Sequence, residues 1–88
     1  MSKHPVLVPG FPSIEAAAEA VAELRYDKTV EFLVALRKQF EQQAYGDRAA
    51  GRSRLASILD QAAVDLNRVT DDMIAAFQLS EPHMRDQM

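Results

Sequence analysis

Residues 55–77 read LASILDQAAVDLNRVTDDMIAAF. Leu59, Leu66 and Met73 recur every seven residues, and Leu55, Ala62, Val69 and Ala76 recur every seven on the neighbouring track. A seven-residue apolar repeat is close to two helical turns, so both tracks lie along one stripe of an α-helix. Such a stripe packs at a shallow angle against another helix. The expected class is therefore all-α, built by packing helix on helix.

The helix edges follow from the flanking residues. Ser53 is a suitable N-cap, because its hydroxyl can accept from a free amide of the first turn. The pattern runs to about Leu79 and is expected to stop before Pro82. Upstream, Gly46–Arg52 reads as the connection, with Gly46 suited to the left-handed position after a helix end. Before it, Ser13 is a second cap, followed by Ile14, Ala17, Ala18, Val21 and Leu24 at helical period. Val30, Phe32, Leu33, Leu36 and Phe40 continue a wide apolar stripe. No glycine or proline interrupts residues 14–45, so one long helix is expected over Ile14–Tyr45, bent near Tyr26–Lys28. A split there into two helices is the alternative.

The expected organisation is an extended arm over residues 1–12, a helical hairpin over 13–80 and a flexible tail over 81–88. Pro5, Pro9, Gly10 and Pro12 keep the arm out of helix, while Val6, Leu7, Val8 and Phe11 give it something to bury. Two helices alone leave apolar surface wet. Phe32, Leu36, Phe40, Leu55, Leu59, Leu66, Val69, Met73 and Phe77 are the candidate core or dimer seam. The simplest way to bury them all is a homodimer of hairpins forming an antiparallel four-helix bundle.

Length and composition lead the same way. A chain of 88 residues buries only about 60–65 % of its unfolded surface. With no cysteine, disulfides and thiolate metal sites are excluded. The hydrophobic fraction is 48 %, but much of it is alanine, which buries little area. Association is the remaining source of stability. The net charge of −3 argues against a general nucleic-acid binder. No apolar run reaches the roughly 20 residues of a membrane span, and the start is too interrupted for a secretory signal. A cytoplasmic location is the expectation.

Three groups of residues could carry chemistry. Glu15, Glu19, Glu23, Asp27 and Glu31 are spaced by four and would form a slowly winding acidic strip. This suits docking of a basic partner better than metal binding, because no Glu-x-x-His pair accompanies it. Arg48, Arg52, Ser53 and Arg54 collect at the turn, where amides opening a helix and guanidinium groups could hold an anion or a partner. The pattern lacks a full nucleotide-binding loop. Ser53, Ser57 and Asp60 have no histidine base nearby, since His4 and His83 lie in the expected tails.

The sequence therefore points away from an enzyme, and no metal or cofactor is expected. The expected function is a non-enzymatic protein–protein interaction or regulatory module, a small dimeric bundle with a further protein partner. The alternative is a nucleic-acid or anion-binding regulator that uses the basic turn Arg48–Arg54. The pattern is generic to small helical hairpins and carries no family signature.

Overall fold

The computed structural model describes residues 5–87, and the side chains of residues 5–80. It contains three helices: α1 (Ile14–Ala22), α2 (Tyr26–Ala49) and α3 (Ser53–Gln87). No strand occurs among the described residues. Helices α2 and α3 lie against each other as the hairpin, and α1 touches only the start of α2. The molecule measures 52 × 29 × 14 Å. The long dimension matches α3, whose 35 residues span about 52 Å at 1.5 Å per residue.

Before α1, residues 5–12 contain no helix. The Phe11 amide donates to the Val8 carbonyl at 3.1 Å, and Gly10 has φ +91°. Proline and glycine at the centre make this a type II turn. Ser13 caps α1, its Oγ accepting from the Ala16 amide at 3.0 Å.

The single helix expected over Ile14–Tyr45 is instead two. α1 ends at Ala22, and Arg25 takes an extended conformation (φ −53°, ψ 142°) before α2 begins. Polar side chains make the break without glycine or proline. The Arg25 guanidinium holds the Asp27 carboxylate through two bonds, Nε–Oδ1 at 2.7 Å and Nη2–Oδ2 at 2.9 Å. The Thr29 hydroxyl donates toward the carbonyls of Val21 and Arg25, at 3.5 and 3.4 Å, and so spans the elbow.

The other turn also differs in detail from the sequence expectation. α2 runs through Gly46 to Ala49, and the connection is only Ala50–Arg52. Gly51, with φ +85°, takes the left-handed position expected of Gly46. The first bond of α3 runs from the Ala56 amide to the Arg52 carbonyl at 3.0 Å, so Arg52 and not Ser53 is the cap. α3 also continues past Leu79 and Pro82 to Gln87. Pro82 lacks an amide donor and removes one bond from the ladder, but it does not end the helix. The expected tail at 81–88 thus falls on backbone that is helical to Gln87. Its side chains, His83 included, lie outside the described residues, as do residues 1–4 with His4.

The seam of the hairpin is narrower than expected. Among the described residues, the buried positions of α3 are Ala56, Ala63 and Thr70, again seven apart, and Ala44 is buried on α2. Leu59, Leu66 and Met73 flank that line and are half-buried, as expected of a seam. The other expected track, Leu55, Ala62, Val69 and Ala76, is displaced by one residue. Leu55 and Val69 are exposed, while Ala62 and Ala76 are half-buried. Small side chains let the two backbones approach closely, which a leucine track would prevent. The Thr70 hydroxyl meets its hydrogen-bonding need within the helix, donating to the Leu66 carbonyl at 2.7 Å. No large side chain is fully buried among the described residues.

Candidate docking surface

The large apolar side chains that the alanine seam does not use lie on the outside. Along α3, Met73, Val69, Leu66, Ala62, Ile58 and Leu55 follow one another at steps of three or four residues. They form one stripe from the open end of the hairpin to its turn. Exposure along the stripe peaks at Ile58, at 67 %, with Val69 at 47 % and Leu55 at 45 %. Tyr45 stands nearby on α2 and is 78 % exposed. Ser53, Arg54, Ser57 and Ile58 line a shallow, open depression there.

At the opposite end the stripe runs into a groove of about 590 Å³ between α1 and the hairpin. Its walls are Val8 and Phe11 of the arm, Ile14, Ala17, Ala18, Val21 and Ala22 of α1, Thr29 and Phe32 of α2, and Met73 of α3. The lining is almost entirely apolar. The elbow is the reason the groove exists: it turns α1 away from the axis of α2, so α1 does not close down on α3.

Of the candidate seam residues, Leu36, Phe40, Leu59, Leu66, Met73 and Phe77 are half-buried in or beside the hairpin contact. Phe32, Leu55 and Val69 face solvent. The acidic strip is divided by the elbow. Glu15 and Glu19 lie on α1 and Glu23 is its C-cap, all exposed, whereas Asp27 and Glu31 are on α2. The latter two have partners, Asp27 with Arg25 and Glu31 with Lys28 at 3.0 Å. The fork from Arg25 holds the Asp27 carboxyl below the usual aspartate range, and the same hydrogen bond raises the Arg25 guanidinium. No group of three or more metal-ligating side chains occurs among the described residues.

The basic turn is divided in a similar way. Arg48 reaches across the hairpin to Asp60 at 2.7 Å, and Arg52 pairs with Asp47 at 2.9 Å. Among the described residues Arg54 has no such partner, and it lines the depression beside Ile58. Ser53 is the first residue of α3 and does not cap it. Deeper in the hairpin, Arg37 Nη1 donates to Asn67 Oδ1 at 2.7 Å, while its Nε is buried without a partner.

Sequence reasoning missed the groove. Its walls come from the arm and from all three helices, and only the elbow brings them together. No helix among the described residues is long and apolar enough to cross a membrane. Comparison with family models, with curated proteins and with solved structures finds no match.

Proposed function

We propose that this chain is a non-enzymatic helical interaction module that works as a homodimer, two hairpins packing antiparallel into a four-helix bundle that presents its outer surface to a further protein. The observation that carries the reading is the exposure of large apolar side chains. Ile58 is 67 %, Val64 55 % and Val69 47 % exposed, while Ala56, Ala63 and Thr70 fill the seam.

The large apolar side chains lie on that surface while alanine fills the seam. Association would therefore recover hydrophobic stabilisation that folding of one chain leaves unused. Sedimentation equilibrium and thermal denaturation over a range of concentrations test the proposal. A dimer at micromolar concentration is expected, with a melting temperature that rises with concentration, because association stabilises the folded form by mass action. A monomer with a concentration-independent melting temperature would refute it.

A further inference from the structure

We infer that the groove between α1 and the hairpin is a socket for a second copy of this chain, and that the part it receives is the partner's turn end, centred on Leu55 and Ile58. The inference rests on the dimer proposed above and specifies its contact.

Three observations favour this occupant. First, socket and plug lie on one continuous stripe. Val69 is one helical turn from Met73 in the groove wall, and Leu66, Ala62 and Ile58 continue from it to the turn. A two-fold axis across the middle of that stripe lays each turn end on the other copy's groove and satisfies both at once, as a closed dimer requires. Second, the lengths agree. Leu55 and Met73 are 18 residues apart, about 27 Å along α3, so one copy's turn cannot fill its own groove.

Third, the charges are complementary. Glu15, Glu19 and Glu23 are exposed along α1 and at its end. Among the described residues Arg54, beside Ile58 at the turn, forms no ion pair. The antiparallel arrangement puts that arginine near those carboxylates, whereas a parallel one would place the two basic turns together.

The test uses the full chain. Sedimentation equilibrium on the wild type, Leu55→Glu and Ala18→Glu reads the association, and circular dichroism reads the fold. Both substituted positions are exposed, so helix content is expected to stay as in the wild type. Each variant should raise the dimer dissociation constant at least tenfold, since a carboxylate would be forced into the same contact from either side. A distance measurement fixes the arrangement. With Ser57→Cys as the labelling site in a chain that has no other cysteine, spin labels on the two copies should lie roughly 25–35 Å apart.

A dimer with labels much closer than that, or one unaffected by both glutamates, would overturn the socket and leave the dimer standing. A wild-type monomer at a hundred-micromolar-scale concentration would remove the dimer itself. If an apolar small molecule or a different protein is the true occupant, the dimer is insensitive to Ala18→Glu, and that result also overturns the inference.

Discussion

Replacing Ala56 with leucine should destabilise the hairpin, because there is nowhere for the new side chain to go. Ala56 is fully buried (0 % exposed), and Ala44 on α2 is buried as well. Both lie where α2 and α3 pack against each other, with no exposed space beside Ala56 for a larger side chain. A leucine adds three carbons at the closest point and must either push the helices apart or leave its preferred rotamer. Overpacking of this kind costs about 1–3 kcal/mol. For a domain of this size 1 kcal/mol moves the midpoint by about 4–8 °C, so a fall of roughly 5–20 °C is expected. The control is the same substitution at Ala75, which is exposed on the same helix. There leucine should stay within about 0.5 kcal/mol of the wild type. Thermal denaturation followed by circular dichroism, at matched protein concentration, reads both. If Ala56→Leu is neutral or stabilising, or if Ala75→Leu is the more damaging of the two, the seam is not where the alanines are.

The two glycines of the turn region should respond with opposite sign. A Cβ at Gly46 or Gly51 would meet nothing within 4 Å, so only the backbone decides. Gly46→Ala in a helix interior should stabilise by about 0.5–1 kcal/mol, while Gly51→Ala at φ +85° should destabilise by about 1–2 kcal/mol; chemical denaturation measures both. Arg37→Met should fall within about 1 kcal/mol of the wild type, because it removes a buried unpaired Nε along with the exposed bond to Asn67, and Asn67→Ala should change stability by no more than about 0.5 kcal/mol, because water replaces the acceptor at that exposed bond. The Arg25–Asp27 fork predicts a pH dependence. Asp27 titrates lower in the folded chain than in the unfolded one, so its contribution is complete above the ordinary aspartate value and is lost as pH falls through the folded value. Asp27→Asn should therefore be less stable than the wild type at neutral pH and converge with it in strong acid, as read from paired melting curves.

The helical class, the hairpin and the Ser13 cap were legible because they depend on local chemistry and on period. The exact track of the seam was not. Leu55, Val69, Ala56 and Ala63 all repeat at seven residues, and a reading that ranks positions by hydrophobicity selects the leucine and valine. Close approach selects alanine instead, a preference that becomes visible only when the second helix is in place. The elbow was hidden for a related reason. It is made by Arg25, Asp27 and Thr29, residues that are unremarkable within a helix and act here through side-chain bonds across a break. The groove could not be read at all before the elbow was known.

The division between an alanine seam and a leucine exterior also has an evolutionary consequence. Ala56, Ala63 and Gly51 serve the hairpin itself, and in the proposed dimer Leu55, Ile58 and Val69 serve the contact between copies. These are different residues, although Leu55 and Ala56 are adjacent in the chain. On that proposal, substitutions at the outer positions would change association without first unfolding the hairpin, and substitutions at the inner positions would damage the fold whatever the association. Recognition in this architecture is free to drift while the scaffold stays fixed.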